Sequence, residues 1–66
     1  MKVRDLIKRI EADGWRVVSQ TGSHRQFKHP DKKGRVTIAG QPGKDVIENM
    51  ISSILKQAGL TRKDLR

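Results

Sequence analysis

Two amphipathic helical stripes, one at each end of a 66-residue chain, enclose a middle that cannot be helical. Val3, Leu6, Ile7 and Ile10 recur at i, i+3, i+4 and i+7, while Lys2, Arg4, Asp5, Lys8, Arg9 and Glu11 fill the other face. Gly14 is placed to end this helix with a left-handed backbone at C′, which puts Trp15 at C″ to close on Ile10. Trp15 therefore reads as core rather than as a platform for a base. The second helix is expected from about Asp45 to Ala58. Asp45 is its N-cap, Glu48 three residues on completes a capping-box spacing, and Ile47, Met50, Ile51, Ile54, Leu55 and Ala58 make one apolar stripe. Gly59 is the stop, with Leu60 closing on Leu55. The tail Thr61–Arg66 reads equally as a further turn or a frayed end.

Between the stripes, Arg16-Val17-Val18-Ser19 is too short and too β-branched for a helix and reads as a strand. Gln20-Thr21-Gly22-Ser23 is a turn. His24 to His29 is a second strand, ended by Pro30, which cannot donate to a ladder. Pro30-Asp31-Lys32-Lys33-Gly34 is a turn rich in breakers. Arg35-Val36-Thr37-Ile38-Ala39 alternates as a third strand, and Gly40-Gln41-Pro42-Gly43 is a loop. Strands joined by short turns pair antiparallel, and two striped helices bury themselves by covering one sheet face. The expected fold is α+β: helix, three-stranded antiparallel sheet, helix, as a single domain over residues 1–66. Its opposite sheet face is left wet.

Strand parity says what the wet face carries. Phe27 should face the helices, and Arg25 and His29 share its parity near the strand ends. His24, Gln26 and Lys28 then share the open face. In the third strand Val36 and Ile38 point in, and Arg35 and Thr37 out. A bulge at Gly22-Ser23 would upset this count.

Charge narrows the partner. The chain carries a net charge of +8, which suits a polyanion. From Gly14 to Lys44 the only acid is Asp31, whereas Arg16, Arg25, Lys28, Lys32, Lys33, Arg35 and Lys44 are all basic. The positive field sits on the central segment rather than on a helix, so nucleic acid is favoured over a membrane. No apolar run approaches the ~18 residues of a membrane span. The start reads as the beginning of the folded domain, without the apolar core of a signal segment. Cysteine is absent, which removes disulfides and thiolate metal sites and fits a cytoplasmic setting.

His24 is the one good catalytic candidate. An imidazole can accept or donate a proton near neutral pH, and a positive field suits a phosphodiester. His29, before a proline and of the wrong parity to pair with His24, has a plain structural reading. Two histidines of opposite parity do not make a zinc site. Magnesium nucleases need clustered carboxylates, which this segment lacks. Ser23 and His24, adjacent on a strand, point to opposite sides and form no acyl-transfer pair. Gly40-Gln41-Pro42-Gly43-Lys44-Asp45 lacks the arrangement of a P-loop. No metal and no cofactor are expected.

The ordered set of Leu6-Ile7, Gly14-Trp15, Gln20-Thr21-Gly22-Ser23-His24, Phe27-Lys28-His29-Pro30, Val36-Thr37-Ile38, Pro42-Gly43-Lys44-Asp45 and Ile54–Leu60 resembles the HicA toxins, mRNA interferases of HicA–HicB toxin–antitoxin modules. The resemblance covers nearly the whole chain, with Arg25 where members often carry a second histidine. It implies a double-stranded-RNA-binding-like fold and metal-independent cleavage of RNA, with His24 as the catalytic residue. It also implies neutralisation by a HicB-type antitoxin that covers the active face.

On that reading the 2′-hydroxyl of the RNA is the nucleophile. Lys28 is the first choice, and Arg25 the second, to offset charge on the phosphorane. Lys32, Lys33, Arg35 and Lys44 would hold the backbone, which gives affinity without sequence information. Gly22 is expected for backbone geometry, and Ser23 to fix the turn through a local hydrogen bond. The rival reading is a non-catalytic RNA-binding module of the same fold. A basic face that binds an acidic protein partner is compatible with either.

Overall fold

The structure, a computed structural model, describes residues 1–65, so Arg66 of the tail lies outside the described residues. The elements are α1 (Val3–Ala12), β1 (Arg16–Thr21), β2 (His24–Lys28), β3 (Val36–Ile38), α2 (Glu48–Ala58) and a 3-10 turn, Arg62–Leu65. The strands form one antiparallel sheet in the order β1-β2-β3. This is the expected helix–sheet–helix α+β fold. No helix among the described residues is long and apolar enough to cross a membrane.

Both helices stop in the same way. Gly14 has φ 113°, its N–H bonds Glu11 O at 3.0 Å, and Trp15 N–H reaches Ile10 O at 3.1 Å. At the other end Gly59 has φ 69°, with Gly59 N–H to Lys56 O at 3.2 Å and Leu60 N–H to Leu55 O at 2.8 Å. These are paired Schellman bonds that satisfy carbonyls the helix leaves open. The first delivers Trp15 into the core, where it is fully buried.

The core joins Val3, Leu6 and Ile10 of α1 to Phe27, Val36 and Ile38 of the sheet and to Ile51, Ile54, Leu55 and Ala58 of α2. Ile47 and Met50, expected in the same stripe, are exposed because Ile47 precedes the helix and Met50 sits in its first turn. Burying a side chain such as Phe27 or Leu6 contributes about 1.5–3 kcal/mol. Phe27 stands opposite Val36, and Arg25 opposite Ile38, so one sheet face meets the helices as the period-2 reading requires.

The boundaries of α2 and of the first hairpin differ from expectation. The helix α2 begins at Glu48, with Ile47 at its N-cap and no side-chain cap bond. Asp45 pairs instead with Lys2 as an isolated antiparallel bridge, flanked by Val3 N–H to Lys44 O at 2.9 Å and Val46 N–H to Met1 O at 2.8 Å. Tertiary pairing with the chain start holds this segment extended and overrides the local capping box. Glu48 pairs with Arg62 at 3.0 Å. In the hairpin, β1 runs on through Gln20 and Thr21, so the turn is only Gly22-Ser23. The register shift falls at Val18, between Val17 and Ser19 of β1, and leaves β2 regular.

Candidate active site

His24 opens β2 directly after the two-residue turn, opposite Thr21. Gly22 has φ 58°, and no non-glycine residue among those described has positive φ, which fits a type II′ hairpin with glycine first. Two side chains tie the turn down. Gln20 Nε2 donates to Gly22 O at 3.0 Å, and Arg25 donates to Ser23 O at 3.2 Å and to Gly40 O at 3.0 Å. The Ser23 hydroxyl, expected to fix the turn, makes no hydrogen bond among the described residues. The Arg25 guanidinium is thus committed to two carbonyls and joins the hairpin to the loop after β3.

The wet face carries His24, Gln26 and Lys28 from β2, as parity predicts, with Thr37 beside Gln26 on β3. On the other flank Thr21 and Ser19 stand opposite His24 and Gln26. Sequence reading missed this flank by ending β1 at Ser19. The signal was present: Gly-Ser alone suffices for a two-residue hairpin, and Thr21 is β-branched. The imidazole of His24 is exposed and makes no hydrogen bond among the described residues. It is free to meet a substrate.

The cations divide into two sets. Lys28 is exposed on the wet face, Lys33 lies in the turn before β3, and Lys44 lies in the loop before α2, also exposed. Arg35 reaches the same face and donates to Gln26 Oε1 at 2.6 Å. Lys32, by contrast, is turned inward. Its Nζ pairs with Asp13 Oδ2 at 2.5 Å and donates to Ala58 O at 3.0 Å, joining the end of α1 to the end of α2.

His29 is equally committed. Backbone N–H groups of Asp31 and Lys32 donate to its Nδ1 at 3.0 and 3.1 Å. An Nδ1 that accepts carries no proton, so the neutral ring is protonated at Nε2, which donates to Asp13 O at 2.7 Å. The ring packs edge-on to Trp15, with centroids 5.4 Å apart. Of the two histidines, only His24 is available to chemistry.

A family model for the HicA toxin of bacterial toxin–antitoxin systems matches residues 3–60. The chain belongs to the HicA toxin family. The matched stretch runs from the first residue of α1 past the Gly59 stop, so it takes in the whole sheet and the His24 hairpin. As a HicA toxin the chain is the toxin component of a toxin–antitoxin system, and its partner is an antitoxin. No curated protein gives a significant match to the chain.

Proposed function

We propose that this HicA toxin is a metal-independent endoribonuclease, an mRNA interferase in which His24 is the catalytic residue and a HicB-type antitoxin supplies the restraint. The observation that carries this reading is the exposed, unbonded imidazole of His24 at the head of a basic sheet face. The nearest stretch of sequence offers only Asp31 as a carboxylate, too few for a magnesium nuclease.

The 2′-oxygen of the RNA attacks the adjacent phosphorus, and its proton passes to the His24 imidazole. The bond to the 5′-oxygen breaks, and that oxygen takes a proton from the imidazolium or from water. A 2′,3′-cyclic phosphate and a 5′-hydroxyl result. Lys28 lies four residues along the same face, about 13 Å away at Cα in a regular strand. Leaning toward His24, its ammonium offsets charge developing on the phosphate oxygens. Arg35, Lys33 and Lys44 hold the RNA backbone on either side. Arg25 and Lys32 serve the scaffold in this scheme, since their charges are already spent on carbonyls and on Asp13.

Purified protein should cut single-stranded RNA in excess EDTA and leave 2′,3′-cyclic or 3′-phosphate ends. RNA lacking the 2′-hydroxyl at the cut site should survive, as should DNA. Cleavage of DNA, or activity only with added magnesium, rules the mechanism out. Binding of RNA without any cleavage favours the non-catalytic RNA-binding module.

A further inference from the structure

Beside the turn that carries His24 lies a groove of ≈ 420 Å³, formed where the β1–β2 turn, the loop after β3 and the start of α2 meet. Ser23, the neighbour of His24, is part of its wall, and Val46, Ile47 and Met50 supply apolar surface. Ile47 is 68% exposed and Met50 40% exposed. Two large exposed aliphatic side chains, Ile47 and Met50, thus line one groove of a strongly basic protein.

Ile47 breaks a local rule to be there. It occupies the N-cap of α2, where serine, threonine, aspartate or asparagine would satisfy an open N–H, and it makes no side-chain cap bond. Its exposure returns little core packing. A local choice that costs stability with no gain inside the fold points to selection by something outside it.

The chemistry of the walls says what that is. Stacking a nucleobase calls for an aromatic surface, and both aromatic residues, Trp15 and Phe27, are buried in the core. Isoleucine and methionine suit the aliphatic side chains of a protein, with methionine adapting to an irregular shape. Lys44 brings an exposed positive charge to the groove, whereas Asp45 is paired with Lys2 at 3.1 Å. The complement is an apolar side chain flanked by acids.

We infer that this groove is the docking site of the antitoxin: it receives a large apolar side chain of the partner, while acidic residues beside that side chain meet Lys44. Seating there sets the partner against Ser23, next along the chain to His24. This deepens the reading that an antitoxin restrains the toxin, and it rests on that reading for the identity of the partner.

The test uses this toxin and its purified cognate antitoxin. Ile47→Ser removes the apolar wall and installs a better N-cap, so thermal stability should hold or rise. Affinity for the antitoxin should nevertheless fall about tenfold or more. Ile47→Ser with Met50→Lys should lose about a hundredfold or more. RNA cleavage without antitoxin should match the parent. Unchanged antitoxin affinity in the double variant overturns the inference. So does a loss of cleavage with affinity retained, which would assign the groove to RNA. If the parent itself does not cleave RNA, the nuclease reading fails, while the affinity measurement still decides the docking site.

Discussion

His24 and His29 lie on one short stretch of chain and have opposite fates. His24 is exposed and makes no hydrogen bond among the described residues. The side chain of His29 is 8% exposed, and all its ring nitrogens are used: two backbone N–H groups donate to Nδ1, and Nε2 donates to Asp13 O. Parity makes the first difference, since residues an odd number apart on a strand point to opposite faces. Position makes the second. His29 stands just past the end of β2, where the chain turns under α1 and offers it Asp13 and Trp15 as neighbours. The same imidazole is left open where nothing holds it and is a clasp where three hydrogen bonds do.

Replacing each histidine should separate these roles. His24→Ala should lower RNA cleavage by about 10²–10⁴-fold, the usual worth of a general acid or base, and should abolish growth arrest. Its melting temperature and RNA affinity should stay close to the parent's, since it gives up no internal contact. Unfolding of His24→Ala would make that histidine structural and erase the contrast. His29→Ala should behave in reverse. It leaves two N–H groups and a carbonyl without their partner and opens space beside Trp15, at a cost of about 2–4 kcal/mol. For a domain this small that lowers the melting temperature by about 10 °C or more. Cleavage per folded molecule, measured well below the transition, should be retained.

How far the sequence foretold this contrast depends on how local each cause was. Phe27 is large, apolar and alone in its strand, so it set the parity of β2, and with it the wet side of His24, without any knowledge of the fold. The bulge fell on Val18 in the edge strand, where it could not disturb that count. The glycine stops were legible for a similar reason, since each acts on residues within five positions. What could not be read depends on distant partners. Lys32 meets Asp13 and Ala58, 19 and 26 residues away, and Arg25 meets Gly40, 15 residues away. A basic residue in a basic segment gives no sign of which carbonyl will claim it. The false start of α2 has the same origin: Asp45 and Glu48 satisfied a local rule, but pairing with the chain start decided the outcome.

Gly14 sharpens the His29 half of the comparison. Its φ of 113° disfavours any side chain, and a Cβ built there would lie 2.7 Å from His29 Nε2. The ring cannot swing aside, because three hydrogen bonds anchor it. Gly14→Ala should therefore cost about 2 kcal/mol, part backbone strain and part displacement of the clasp. In a His29→Ala background only the backbone part remains. The double variant should then be more stable than the sum of the singles by about 1 kcal/mol in chemical denaturation. Strict additivity would show that the ring and the glycine do not sense each other, and that His29 is held less firmly than its bonds imply.

The smallest effects belong to the lysines that accompany each histidine, and they repeat the contrast at lower amplitude. Lys28 shares the face of His24 and is exposed, while Lys32 shares the neighbourhood of His29 and bonds Asp13. Lys28→Ala should leave the unfolding free energy within about 0.5 kcal/mol of the parent's, as surface substitutions away from special features do. It should weaken cleavage, because a cation that offsets charge on the phosphate has gone. Lys32→Ala should do the opposite. Its side chain is 35% exposed and that of Asp13 27%, so solvent screens the pair, and its loss should cost only about 1 kcal/mol. Part of that cost comes from the Ala58 carbonyl, which would lose the donor that helps close the end of α2. Cleavage by folded Lys32→Ala should exceed that of Lys28→Ala when both are assayed at low temperature. If Lys32→Ala instead loses cleavage with its stability intact, Lys32 touches RNA directly. The basic surface would then extend past the wet sheet face toward α1, and the division of the cations into scaffold and site would have to be redrawn there.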